Sequence, residues 1–352
     1  MSSLFVRPRL PWVLLFVLGT ATTAEASPWT LREGQLVLSA GFNHQIASQE
    51  FLDDGPAQNF PLNGYLNASS FSIGLRAGFT DNIEFEAVLP ITVVNYQADP
   101  VILLDQPAGS TQTALDYFQR NVLDLSRSVS GVSDFIFAVR YGWLRTPFAL
   151  ATELRIKAPT GYERPAGTFG EQPTSNEEFI NEIRRFVSPQ NVTDDVTLGD
   201  GQLDITASML FGYAFRSGTF VRLGAGYNLR AGDAGDQLVG DVRAGQVLGR
   251  RFLVYLGVKG ALTVETGRRI GISVAAIDPD LPASEFGSTT NLLLREVTLD
   301  RDKLDLGGGL IIRMTDRLEL NAGYEHTVAG RNISAVHSLS LSLAFRAELG
   351  GS

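Results

Sequence analysis

Along much of this chain, apolar residues fall on every second position. In Ser70-Phe71-Ser72-Ile73-Gly74-Leu75-Arg76-Ala77-Gly78-Phe79 the large apolar side chains occupy odd positions, and small or polar residues occupy the even ones. A period of two puts alternate side chains on opposite faces of a strand, one greasy and one wet. Many of these runs last about twelve to fifteen residues, whereas strands of soluble proteins usually stop near five or six. A strand that long, tilted by roughly 40°, rises about 30 Å, enough to cross the apolar band of an outer membrane. The pattern predicts an all-β chain folded as a transmembrane antiparallel β-barrel.

About twelve strands are expected, near residues 35–48, 65–79, 82–96, 133–144, 147–158, 202–215, 219–230, 237–248, 252–266, 304–314, 318–328 and 337–346. Tight turns such as Thr80-Asp81-Asn82, Arg216-Ser217-Gly218 and Thr315-Asp316-Arg317 alternate with longer connections. Short turns on one side and long loops on the other are the sidedness of bacterial outer-membrane barrels, with turns in the periplasm and loops outside. An even strand count returns both ends of the chain to the turn side. A soluble β-sandwich would share the alternation but not the strand length or the turn asymmetry.

Three extracellular loops are long, at 97–132, 160–201 and 267–303, and short helices are expected in them. Ser175-Asn176-Glu177-Glu178 has the form of a capping box, and Phe179, Ile180, Ile183 and Phe186 follow at helical spacing. Leu115, Phe118, Val122 and Leu125 have the same spacing. Phe179, Ile183 and Phe186 are candidates for a gating element that enters the pore. The other reading is a helix capping the barrel rim.

The N-terminus agrees with export. Arg7 and Arg9 precede the apolar run Trp12 to Leu18, and small residues follow up to Ala24-Glu25-Ala26, the form of a secretory signal peptide. The expected organisation is a signal peptide over 1–26 and one barrel domain over 27–352. Cleavage would remove two arginines and one glutamate from a chain of formal net charge -9, leaving it one unit more acidic. An acidic surface excludes nucleic acid as a natural partner. The mean hydropathy of +0.05 hides a barrel, because half of each strand is polar. With no cysteine in the sequence, disulfides, thiolate metal sites and a lipidated N-terminal cysteine are excluded.

Parity selects a set of inward charges: Arg76, Glu84, Glu86, Asp134, Arg140, Glu153, Arg155, Lys157, Asp204, Arg222, Asp241, Arg243, Lys259, Asp305, Arg313, Glu319 and Glu325. Facing lipid, such residues would cost up to a few kcal/mol each near the midplane, so they are assigned to the lumen. The mixed signs allow two readings, a salt-bridge network that stiffens and partly fills the lumen or a track for a solute. Phe79, Tyr141, Trp143, Tyr213, Phe215 and Phe252 fall at the turn-side membrane edge, and Phe42, Tyr227 and Tyr324 fall nearer the other edge, as aromatic girdles would. The three histidines, His44, His326 and His337, point outward near the loop ends of strands that become neighbours on closure. They read as polar rim residues. No metal site, cofactor or catalytic residue is assigned, no serine stands in a nucleophile elbow, and the chain is not expected to be an enzyme.

Three motifs, Gly131-Val132-Ser133-Asp134, Lys157-Ala158-Pro159-Thr160-Gly161 and Leu198-Gly199-Asp200-Gly201-Gln202-Leu203-Asp204, occur in this order. With Gly78-Phe79-Thr80-Asp81-Asn82-Ile83-Glu84 and the pair Leu89-Pro90, they resemble the outer-membrane family named for transport in the phenol-degradation meta-pathway. The resemblance implies passage of small, hydrophobic or aromatic molecules across the outer membrane. The expected function is a channel or facilitator for diffusion of small solutes, acting as a monomer in outer-membrane lipid. The alternative is a non-conducting structural or surface-interaction barrel that acts through its extracellular loops.

Overall fold

Twelve strands close on themselves in a computed structural model, which describes residues 27–52, 55–102, 122–124, 126–161, 175, 178, 198–285 and 291–349. The expected signal peptide and the gating candidates Phe179, Ile183 and Phe186 lie outside the described residues. The barrel strands are β1 (Gln35–Ala47), β2 (Tyr65–Gly78), β3 (Ile83–Gln97), β4 in two segments (Arg127–Val132 and Phe135–Leu144), β5 (Phe148–Ala158) and β6 (Leu203–Ala214). They continue as β7 (Thr219–Ala231), β8 (Gln237–Leu248), β9 (Phe252–Thr263), β10 (Asp302–Arg313), β11 (Leu318–Arg331) and β12 (His337–Glu348). Each pairs antiparallel with its neighbours in sequence, and β1 pairs with β12 from Gln35↔Glu348 to Ile46↔His337. Closure leaves no sheet edge, as a membrane span requires, because an unpaired backbone group in lipid has no water to bond.

The outward face carries the large apolar residues, with Leu256 71%, Phe79 67% and Ile73 52% exposed. These surfaces are stable only against lipid. Phe79, Tyr141, Trp143, Tyr213, Phe215 and Phe252 are all exposed at the turn-side end, and Phe42, Tyr227 and Tyr324 toward the other. Edge-on pairs reinforce the turn-side girdle, Tyr141 with Trp143 and Tyr213 with Phe215, each at 4.6 Å between ring centroids. Both ends of the barrel chain lie on this side, as the even count requires.

Three expectations are corrected. The loop placed at 97–132 ends in a strand segment, Arg127–Val132, that pairs with the upper half of β3. Its outward residues include Ser128 and Ser130, so the apolar alternation that marked other strands is absent. Pro90 explains the break between the two β4 segments. Its carbonyl accepts the Ser133 N–H at 2.9 Å, so its backbone faces β4 at the one position with no N–H to return. Second, Val122 belongs to a short strand, Val122–Leu123, paired with Val101–Ile102, rather than to a helix; Leu115, Phe118 and Leu125 lie outside the described residues. Third, the loop at 267–303 carries a β-hairpin of Arg269–Ala276 and Leu292–Thr298. Among the described residues its helical content is one 3-10 turn, Ala283–Glu285. The capping-box bond of the middle loop does form, the Glu178 N–H donating to Ser175 Oγ at 3.1 Å.

Candidate functional site

The lumen begins, at the turn end, as a packed core. Ala149, Phe220, Leu253, Tyr255 and Ile311 converge from β5, β7, β9 and β10, and Trp29 joins them from outside the sheet. Trp29 belongs to the segment ahead of β1, which enters the barrel and crosses its turn end. Its ring meets Phe220 edge-on at 6.3 Å. Inward glycines make the room. A Cβ at Gly212 would fall 2.5 Å from the Trp29 ring, one at Gly142 2.6 Å from Thr30 Oγ1, and one at Gly78 1.8 Å from the Arg32 carbonyl oxygen. The Leu31 N–H donates to Glu84 Oε2 at 2.7 Å, tying the segment to the wall. This plug went unseen in the sequence, although inward glycines near the turn ends of β2, β4 and β6 were the available signal.

Above the plug, six of the predicted inward charges form one neutral knot. Arg140 on β4 is fully buried and reaches Glu84 at 2.5 Å, with Glu86 and Glu153 also bonded to it. Arg76 closes on Glu84 at 2.7 Å and Arg155 on Glu153 at 3.0 Å. Three arginines thus face three glutamates across β2, β3, β4 and β5. A buried carboxylate is tolerated only when paired and hydrogen-bonded, and each of these is. Arg313 and Arg346 share Glu319 in the same manner, at 3.7 and 3.0 Å.

A second knot lies at the loop end, where the three motif segments meet around Lys157. Its ammonium lies 2.6 Å from Asp200, 2.8 Å from Asp204 and 3.6 Å from Asp134. Arg230 bonds Asp200 and Asp204 from β7. Thr160 bridges the break in β4, accepting the Phe135 N–H and donating to the Ser133 carbonyl, both at 3.0 Å. Gly199 packs so closely that a Cβ there would lie 2.4 Å from Asp134 Oδ1. Burial by itself would raise the Asp200 carboxyl, but Lys157 and Arg230 outweigh it and hold the group below its ordinary value.

Between the knots, on the β7 to β12 side, is a cavity of about 320 Å³. The remaining predicted charges line it: Arg222, Asp241, Arg243, Lys259, Asp305 and Glu325. Arg222 pairs with Asp241 at 2.7 Å, and Lys259 with Glu325 at 2.6 Å. Arg243 stacks over the Tyr255 ring, 4.3 Å from its centroid. Lys303 also lines the cavity, 3.0 Å from Asp305. Lys303 and Arg346 were missed for one reason: each has inward parity but stands at a strand end, where the alternation fades.

The histidines lie on the outer wall. His326 and His337 stack across β11 and β12 with ring centroids 4.0 Å apart, and Tyr324 Oη is 2.7 Å from His337 Nδ1. His44 Nδ1 is 3.0 Å from Ser69 Oγ on β2. Among the described residues no group of three or more metal-ligating side chains is assembled.

A closed antiparallel barrel with an apolar exterior, two aromatic girdles and a charged interior is a transmembrane β-barrel of the bacterial outer membrane. Its turn end is occluded by the chain's own N-terminal segment. No family model and no curated protein matches the sequence. Among solved structures, the chain shares its fold with the COG4313 outer membrane channel from Pseudomonas putida F1, at a TM-score of 0.57 and 11% identity over 90% of this chain and 97% of that one. The TodX monoaromatic hydrocarbon channel aligns at 0.43 with 12% identity over 91% of each chain. The β domain of the Bordetella autotransporter BrkA aligns at 0.42 with 14% identity, over 89% of this chain and 99% of that one. Scores at that level bear on neither fold nor function.

Proposed function

We propose that this protein is a channel or facilitator for diffusion of small solutes across the outer membrane, acting as a monomer and without a chemical step. The observation that carries this reading is the polar cavity inside a closed barrel, whose Tyr255 wall also belongs to the turn-end core that receives Trp29 from a segment outside the strands. A lumen evolved only for stability would be filled along its whole length, as it is around Arg140. The fold shared with a protein named as an outer membrane channel supports the same reading. Small aromatic molecules are the proposed cargo, in line with the motif resemblance.

Planar-bilayer recording of the purified protein tests it. Discrete conductance steps that enlarge when residues 27–33 are deleted are the expected result. A second reading, a non-conducting structural barrel, draws on the turn-end core and the Arg140 knot, which together pack the turn end of the lumen. A barrel that inserts but stays silent with or without the segment would establish this second reading instead.

A further inference from the structure

We propose that the lumen cavity is a binding chamber for small organic monoanions, aromatic carboxylates among them, an inference that rests on the channel reading and gives it a substrate class. The first argument is charge. Arg222, Arg243, Lys259 and Lys303 line the chamber against Asp241, Asp305 and Glu325, four cations to three carboxylates. Asp305 serves two lysines, Lys303 at 3.0 Å and Lys259 at 3.9 Å. The chamber therefore carries one positive charge in excess, inside a chain whose formal net charge is -9. A surplus enclosed by low-dielectric walls is screened far less than the same charge on a surface, so it selects for a single negative charge in the guest.

The second argument is shape. Glycines let the lining side chains lie close against the wall: a Cβ at Gly309 would stand 2.5 Å from the Tyr255 hydroxyl, and one at Gly307 3.1 Å from Glu325 Cγ. Tyr255 and the Arg243 guanidinium stacked on it form a flat shelf, suited to a planar carboxylate and a ring. A further part of the wall is neutral and hydrogen-bonding, with Asn43, Ser338 and Ser340. At about 320 Å³ the space falls within the ~300–1,000 Å³ range of ligand pockets.

The third argument is unused hydrogen-bonding capacity. Two register positions toward the turn end from the chamber pair Gly323 and Ser340, on the same strands β11 and β12, Asn321 pairs with Ser342. Both are buried, and the Asn321 amide atoms and Ser342 Oγ have no hydrogen-bond partner. A polar guest on its way from chamber to plug would satisfy them, whereas a hydrocarbon would not.

The test titrates detergent-solubilised protein with benzoate, benzyl alcohol and benzylammonium by calorimetry, and measures reversal potential across a KCl gradient in planar bilayers. Benzoate is expected to bind at least tenfold more tightly than the other two, with the reversal potential on the chloride side. Lys303→Gln, which neutralises the surplus, should erase both preferences, while Asp241→Asn should strengthen them; heat-modifiable gel migration confirms that each variant is folded. Equal binding of benzoate and benzyl alcohol, or an unchanged preference in Lys303→Gln, overturns the proposal. A protein that conducts without preferring benzoate refutes the chamber and leaves the channel standing. One that binds benzoate but never conducts refutes the channel and keeps the chamber.

Discussion

Glu84 and Glu325 face the same lumen, yet their surroundings differ as a protein core differs from a pocket. Glu84 is completely buried, bonded to Arg76, Arg140 and the backbone N–H of Leu31. Glu325 keeps 31% of its side chain exposed and meets Lys259. The turn end is built from interlocking parts, with glycines cut to receive the plug and every carboxylate claimed more than once or by a short bond. The chamber leaves space, and its carboxylates are outnumbered. The difference teaches that barrel parity decides only which side chains point inward. Whether they fill the lumen or line it depends on what else enters, and here the entrant is the segment ahead of β1.

The strongest attack on this comparison is Arg140→Met. It would leave Glu84, Glu86 and Glu153 buried without their shared cation, a loss of about 4 kcal/mol for a broken buried pair. Urea unfolding followed by heat-modifiable migration should show a clear drop in midpoint, whereas Lys259→Met in the chamber should move it far less. Similar losses at both sites would mean that the two halves are not built differently. Next comes Trp29→Ala, which removes the aromatic anchor of the plug and should weaken its docking by about 3 kcal/mol. The expected readout is larger and noisier single-channel steps with the barrel still folded.

A third variant pair sharpens the assumption that one parity governs both halves. Leu256→Arg, facing lipid on β9, should impair membrane assembly by about 2 kcal/mol or more, while Ser72→Asp, facing the lumen from β2, should be tolerated. Comparable defects would reverse the assignment of inside and outside. The smallest effect concerns the loop-end knot and pH. Because the folded Asp200 carboxyl is held below its ordinary value, its stabilising contribution is complete above the unfolded carboxylate pKa of about 3.9 and fades as pH falls through the lower folded value. Protease cleavage near 198–204 should therefore be unchanged from pH 7 down to about pH 5 and should rise below about pH 4. Asp200→Asn should show the higher cleavage at every pH.

Much of this architecture was legible without coordinates. Alternation alone placed Arg76, Glu84 and Arg140 on the inner face and Phe71, Ile73 and Leu75 on the outer, because a strand of period two has no other way to separate them. The segment Arg127–Val132 was not legible, since Ser128 and Ser130 removed the apolar half of the signal. Hairpin Arg269–Ala276 with Leu292–Thr298 was read as loop for want of the long run that marked the spans. The plug left no periodic trace at all, being a single irregular crossing. Its imprint was distributed over Gly78, Gly142 and Gly212, residues that are far apart in the chain and share no local pattern.

What the sequence determined by itself was the sorting of side chains between lipid and lumen, and with it the class of protein, because local alternation and strand length are properties of short stretches. Tertiary structure decided which inward charges meet. The convergence of the three motif segments on Lys157, the three glutamates on Arg140 and the single excess cation of the chamber all depend on register between strands. Register is set by turns, bulges and closure acting together, so no window of sequence contains it.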